Sequence, residues 1–108
     1  MVLLTIIVNG GYSEQVMEVA KQKGARGGTI FNAVGSAGVN AEKLYGITIN
    51  PEKEVLFILI TSDTSSILLE AIYDNFGPST DAQGIAFTMP IDETTSNLTK
   101  QYRKQKNH

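Results

Sequence analysis

Two segments of the chain are almost continuously apolar, residues 2–8 and residues 55–61. They consist of Val, Ile, Leu and Phe with Thr at intervals. Runs of this length and composition are typical of central β-strands that are covered on at least one face. The pattern therefore predicts two buried strands, one near the start of the chain and one just past its middle.

A segment with helical periodicity follows each apolar run. The first begins near Ser13, and the second begins near Ser62 or Asp63, whose side chains can accept hydrogen bonds from first-turn amides. Each segment stops at a glycine, Gly24 or Gly77, as many helices do. The apolar faces consist of Val16, Val19 and Ala20 in the first helix and Leu68, Leu69, Ile72 and Phe76 in the second.

The spacing of these features repeats. Sixteen residues separate Val8 from Gly24, and sixteen separate Thr61 from Gly77, which indicates an internal duplication. A glycine-containing turn and a further apolar segment, residues 29–34 and residues 85–89, follow each helix. The resulting βαββαβ order predicts an α+β, ferredoxin-like sandwich: a four-stranded antiparallel sheet with two helices on one face.

Residues 35–53 connect the two halves, and nineteen residues are long for a hairpin connection. Connections of that length in compact domains are usually functional or disordered. Residues 44–49 alternate in polarity enough to extend a strand. We expect a central hairpin loop with a mobile tip, within a domain of residues 1–92 that precedes a polar, basic tail of residues 93–108.

The length of 108 residues allows one small core, and two helices can cover only one face of the predicted sheet. Small domains commonly cover a remaining apolar face by oligomerisation. The sequence therefore predicts a homo-oligomer.

Charge and composition exclude several classes of function. The formal net charge is −2, and basic residues do not alternate with aromatic residues in any apolar stretch, so direct nucleic-acid binding is disfavoured. No apolar stretch is long enough for a transmembrane helix, and residues 2–8 lack the basic flank of a secretion signal. Together with the absence of cysteine, these features favour the cytoplasm. Positive charge is concentrated after Glu93, in Lys100, Arg103, Lys104 and Lys106.

Residues suited to catalysis are few. The single histidine, His108, is the last residue of the chain. No metal-spaced cluster or paired-carboxylate pattern is present. A small enzyme that uses Asp63, Asp81 or Glu54 as acid or base is the least favoured alternative, because carboxylates at strand ends are usually helix caps or solvated turn residues. The sequence predicts a protein that is not an enzyme.

Two glycine-rich turns, residues 24–29 and residues 77–84, follow the predicted helices. Glycine allows the backbone to approach a ligand closely, so successive amides can bind an anion or the edge of a purine. The same glycines are also explained by helix termination and tight turns into the next strand. The residues leave both interpretations open.

The order and spacing of these residues resemble those of the PII nitrogen-regulatory proteins. Residues 4–35 resemble the first half of that family without a gap, residues 51–57 resemble its third strand, and residues 81–87 resemble its second ligand loop; the resemblance covers about residues 3–90. The residues that carry it in the first half are Val16, Glu18, Gly24, Gly27, Thr29 and Gly35.

The resemblance implies a PII-like signal-transduction protein: a homotrimer that binds a small effector between subunits and engages a transporter, enzyme or transcription factor through its central loop. The effector would be an adenine nucleotide, ATP, ADP or AMP, often with a carboxylate metabolite. One wall of the cleft would comprise Ile7, Gly27, Gly28, Thr29 and Gly35, and the other Gln83, Gly84, Ile85 and Phe87. The alternative is a structural or metal-tolerance trimer like the CutA proteins, which binds no nucleotide.

Two departures from the family bear on the ligand. Residues 78–86 contain no basic residue where the family has a phosphate-binding lysine, and the family's C-terminal arginine pair has no clear counterpart, since Arg103 lies in the polar tail. A less charged nucleotide or another small molecule is therefore at least as well suited as a triphosphate, and Arg26 is a weak substitute for the missing charges. Tyr45 lies six residues before Pro51, a spacing that resembles the modified tyrosine of some members, but packing on the hairpin is the favoured explanation.

Overall fold

The computed structural model describes residues 1–36 and 51–95. The predicted βαββαβ order is confirmed. The elements are β1 (Val2–Asn9), α1 (Ser13–Gln22), β2 (Thr29–Val34), β3 (Glu52–Ile60), α2 (Ser62–Phe76) and β4 (Ile85–Pro90).

The strands form one sheet in the order β2-β3-β1-β4. All three neighbouring pairs are antiparallel. The two apolar runs are therefore the central strands β1 and β3, while β2 and β4 form the edges. The ferredoxin-like α+β arrangement predicted from the sequence is confirmed.

The core lies between the sheet and the two helices. Alternate residues of each central strand point toward the helices and are almost completely buried, as strand geometry requires. These residues are Leu4, Ile6 and Val8 of β1 and Leu56, Ile58 and Ile60 of β3. They contact the buried helix residues Val16, Ala20, Leu68, Ile72 and Phe76. Burial of each large aliphatic side chain stabilises the fold by about 1.5–3 kcal/mol.

The ends of the helices differ slightly from the prediction. Helix α1 ends at Gln22, and Gly24 follows in a left-handed conformation with φ of +113°. Helix α2 is capped by Thr61, whose side-chain oxygen accepts a hydrogen bond from the N–H of Thr64 at 3.4 Å. Ser62 and Asp63 were predicted as caps, but both belong to the first turn of the helix.

The connection between the two halves is shorter than predicted, because β3 begins at Glu52 and includes Lys53. The N–H of Gly35 donates to the carbonyl oxygen of Pro51 at 2.7 Å. The end of β2 and the start of β3 therefore lie side by side. The predicted strand of residues 44–49, Tyr45 and the basic residues of the tail lie outside the described residues.

Candidate ligand site

The sheet surface that faces away from the helices is largely apolar, and we call it the open face. Among the described residues no helix covers it, and several of its large side chains are more than a third exposed. Phe57 of β3 is 37% exposed, and Phe87 and Met89 of β4 are 42% and 44% exposed. The strand registers place the following side chains on this face: Leu3, Thr5, Ile7, Thr29, Phe31, Val55, Phe57, Leu59, Ile85, Phe87 and Met89.

A pocket of about 460 Å³ opens at the end of this face where β2 begins, and we call it the glycine pocket. Three of the residues predicted to bind the ligand line it: Gly27, Gly28 and Thr29. The remaining lining residues are Leu3, Phe57, Leu59, Ile91, Glu93 and Thr94. None of these residues was predicted from the sequence, although Phe57 is the single aromatic residue in the apolar run of β3.

A polar chain of hydrogen bonds crosses the opposite end of the sheet. The Lys53 Nζ donates to the Asn9 Oδ1 at 2.6 Å, and the Asn9 Nδ2 donates to the carbonyl oxygen of Asp81 at 2.9 Å. The backbone N–H of Asn9 also donates to the carbonyl oxygen of Ala82 at 2.9 Å. These bonds hold the turn after α2, residues 77–84, against the end of β1.

Lys53 is a basic residue that the sequence analysis did not place in the site. A β-carbon on Gly35 would lie 3.0 Å from the Lys53 Cε, so the lysine side chain extends along Gly35. It therefore connects the end of β2 to Asn9, and Asn9 in turn contacts the turn that contains Gln83.

The predicted site residues thus form two groups in one copy of the chain. Gly27, Gly28 and Thr29 lie at the start of β2, whereas Gly35 follows its end, roughly 20 Å away at about 3.3 Å per residue. Gln83 and Gly84 belong to the group at the Gly35 end, while Ile7, Ile85 and Phe87 lie between the groups on the open face. A single copy cannot bring both groups around one small molecule.

Two of the site glycines are also required by packing. A β-carbon on Gly28 would lie 2.6 Å from the carbonyl oxygen of Phe57, and one on Gly84 would collide with the carbonyl oxygen of Phe76. The N–H of Gly84 donates to that same oxygen at 2.7 Å. Gln83, immediately before Gly84, has a φ of +47°, which is uncommon for a residue with a side chain.

Glu54 caps α1 from the neighbouring strand. Its Oε1 accepts hydrogen bonds from the N–H groups of Gly11 at 2.6 Å and Ser13 at 3.2 Å. Partial burial raises the pKa of the Glu54 carboxyl, but hydrogen bonds from Ser13, Gly11 and Tyr12 lower it more, and the net pKa lies below its usual value. Because these N–H groups already donate to the carboxylate, they are not available to bind an anionic ligand.

Of the three candidate acid or base residues, Asp81 and Glu54 lie at one end of the sheet and Asp63 lies at the other. Glu54 lies at the N-terminus of α1, and Asp63 lies at the N-terminus of α2, at the opposite end of the sheet. Within residues 1–36 and 51–95 there is no group of three or more His, Cys, Asp or Glu side chains that could hold a metal ion. Among the described helices, none is long and apolar enough to cross a membrane.

Known structures match this fold closely, although no protein-family model and no curated protein sequence matches the chain. A protein of Thermus thermophilus assigned to the PII-like signalling proteins superposes with a TM-score of 0.63 and 19% identity, over 82% of each chain. CPII of Thiomonas intermedia K12, whose structure contains ADP, AMP and acetate, superposes with a TM-score of 0.62 and 18% identity, over 81% of each chain. The chain therefore has the fold of the PII-like signalling proteins, as its sequence resemblance implied.

Proposed function

We propose that this chain is a PII-like regulatory protein of the cytoplasm that forms a homotrimer, binds a small effector between its copies and signals to a protein partner. It acts by binding and not by catalysis. The observation that carries the proposal is the division of the candidate site between two distant ends of an open, apolar sheet face. A second copy can bring its own Gly35-end residues close to the Gly27–Thr29 residues of the first copy.

The open face supports the assembly. Exposed patches of this kind on small domains are usually interaction sites, because burying apolar area stabilises association by about 25 cal/mol per Å². In a trimer, three such sheets face one common core, which covers the open face of every copy except at the end where the glycine pocket lies. The clefts then lie where the start of β2 in one copy approaches the Gly35 end of the next.

The effector we propose is an adenine nucleotide. The bound ADP and AMP of CPII support this class of ligand for the shared fold. One copy would contribute Gly27, Gly28 and Thr29 to the cleft, and its neighbour would contribute Ile7, Gly35, Lys53, Gln83, Gly84, Ile85 and Phe87.

The number of basic residues near this site favours a mono- or diphosphate over a triphosphate. Residues 1–36 and 51–95 contain four basic residues, Lys21, Lys23, Arg26 and Lys53. Of these, Lys53 lies at the Gly35 end, and the exposed Arg26 lies next to Gly27. One or two cations balance the charge of AMP or ADP better than that of ATP.

Signalling would pass through the connection between β2 and β3. Gly35 and Pro51, which are hydrogen-bonded to each other, form its base beside Lys53. A ligand that contacts Gly35 and Lys53 shifts the connection toward one arrangement only if it binds that arrangement more tightly. The protein partner would bind one arrangement of the connection more tightly than the other.

A CutA-like trimer without a nucleotide is the second candidate, and the glycine packing favours it. Gly28 and Gly84 are needed to avoid backbone collisions whether or not a ligand binds. These two glycines therefore do not by themselves indicate a binding site.

Thermal unfolding combined with a mass measurement tests both candidates. The panel is ATP, ADP, AMP, cyclic dinucleotides, bicarbonate and 2-oxoglutarate. A ligand at a hundred times its dissociation constant that binds only the native state adds about 2.7 kcal/mol to stability. We expect a trimer that AMP or ADP stabilises, with a smaller shift in Lys53→Gln than in the control Lys21→Gln. A trimer that no compound stabilises supports the CutA-like candidate, and a monomer overturns both.

A further inference from the structure

We propose that Phe57 is the residue on which the heteroaromatic ring of the effector stacks, and that it determines the specificity of the glycine pocket. This assignment rests on the proposed function and identifies which part of the effector the pocket recognises. It adds an aromatic contact to the wall of the cleft for which the sequence resemblance gave only Ile7, Thr29 and glycines.

The exposure of Phe57 is unusual for its strand. Its neighbour on the same face, Val55, is 7% exposed, whereas Phe57 is 37% exposed and lines the glycine pocket. The ring of Phe31 packs against it in a T-shaped arrangement, with centroids 5.0 Å apart and an interplanar angle of 75°. This contact orients the Phe57 ring and leaves part of it accessible from the pocket.

Polar groups suited to the edge of a base lie beside the ring. Thr29 is paired directly with Phe57, which places the two side chains on the same face about 4.5–5.5 Å apart at their β-carbons. The backbone of Gly27 and Gly28 borders the same pocket. Because a β-carbon on Gly28 would lie 2.6 Å from the Phe57 carbonyl oxygen, this backbone is held close to β3. A ring stacked on Phe57 would therefore present its edge to the Thr29 hydroxyl and to these backbone groups.

The remaining lining favours a ring over a phosphate. Leu3, Leu59 and Ile91 are apolar, and no lysine or arginine is among the described residues that line the pocket. Base stacking on aromatic side chains contributes substantially to nucleotide binding and does not require a charged ligand. The pocket thus holds the base, and the phosphates point away from it toward the neighbouring copy.

The test uses the full chain and measures the affinities of adenosine, AMP and ADP by calorimetry. Phe57→Leu removes the ring but keeps an apolar side chain on the open face. Tyr73→Leu is the control, because it also removes an exposed aromatic ring, 68% exposed on α2, from a position that does not line the pocket. Phe57→Tyr retains the ring.

We expect Phe57→Leu to weaken the binding of all three compounds by a similar factor of about ten or more. Tyr73→Leu should leave the affinities unchanged, and Phe57→Tyr should bind like the wild type. Protons of the adenine base should shift upfield in the NMR spectrum when the compound binds the wild type. This shift keeps the assignment testable if Phe57→Leu fails to fold.

Three outcomes overturn the assignment. If the wild type binds an adenine compound and Phe57→Leu binds it equally well, or no more weakly than Tyr73→Leu does, Phe57 is not a stacking residue, and the proposed function stands. The same holds if bound adenine protons show no upfield shift. If no adenine compound binds, the proposed adenine effector fails together with the assignment.

Discussion

The glycine at position 84 has two possible explanations, ligand binding and packing. It lies in a turn that was predicted to bind a ligand, yet a β-carbon at this position would collide with the Phe76 carbonyl oxygen at the end of α2. The sequence could not separate the two explanations, because a glycine in a turn is compatible with both. The collision partner lies eight residues earlier and becomes visible only when the turn is folded against the helix.

We therefore expect Gly84→Ala to destabilise the fold by roughly 1–3 kcal/mol, since the backbone must shift to admit the methyl group. Denaturant unfolding without any ligand measures the loss. Gly10→Ala is the control, because its β-carbon would have neighbours at an ordinary 3.5 Å. If Gly84→Ala unfolds like the wild type, the packing explanation is wrong and the glycine is free for a binding role.

Glu54 connects two elements that are distant in sequence. The carboxylate on β3 caps the first turn of α1 across 41 and 43 residues. The start of α1 at Ser13 was predicted correctly, but its cap was not, because local patterns reveal only capping side chains that are close in sequence. The strands show a similar limit of prediction from local patterns. Their apolar central residues were predicted from the apolar runs, whereas the polar start of β3 at Glu52 was assigned to the connection.

The cap makes stability depend on pH in a defined direction. The Glu54 carboxyl has a lower pKa in the folded chain than its ordinary 4.5, so it stabilises the fold above that pH and loses this contribution as the pH falls through the folded value. Wild type should be more stable than Glu54→Gln at pH 7 by roughly 1 kcal/mol. The difference should shrink as the pH falls below about 4.5.

Chemical denaturation across this pH range measures the difference. Glu70→Gln, on the exposed side of α2, is the control and should parallel the wild type. A constant gap between wild type and Glu54→Gln from pH 7 to pH 3 would contradict the cap's role.

At the scale of the whole molecule, the open face and the separation of the candidate site residues into two groups are the features from which we propose an assembly of several copies. The exposed face was predicted from the count of helices, since two helices cannot cover both sides of a sheet. The division of the site could not be predicted from local pattern alone. It depends on the Asn9–Asp81 contact, which spans 72 residues and places the turn with Gln83 at the Gly35 end of the sheet.

A charge on the open face should disrupt the assembly. Met89 is 44% exposed on β4, and Met89→Glu would bury an unpaired carboxylate in the core between copies, which is strongly unfavourable. We expect a smaller particle by light scattering at micromolar concentration. Tyr73→Glu, at a position 68% exposed on α2, should leave the mass unchanged. Equal masses for both variants would show that copies do not meet through the open face.

The hydrogen bond between Gly35 and Pro51 has a consequence for how this fold can diversify. It holds the two ends of the segment between Gly35 and Pro51 next to each other, at a donor–acceptor distance of 2.7 Å. The entropy of closing a loop grows only slowly with length, so doubling such a segment costs about 0.6 kcal/mol. We therefore expect insertions, deletions and grafted peptides between Gly35 and Pro51 to cost little folding stability. Evolution, or an engineer, would then exchange the sequence of this segment and keep the scaffold intact.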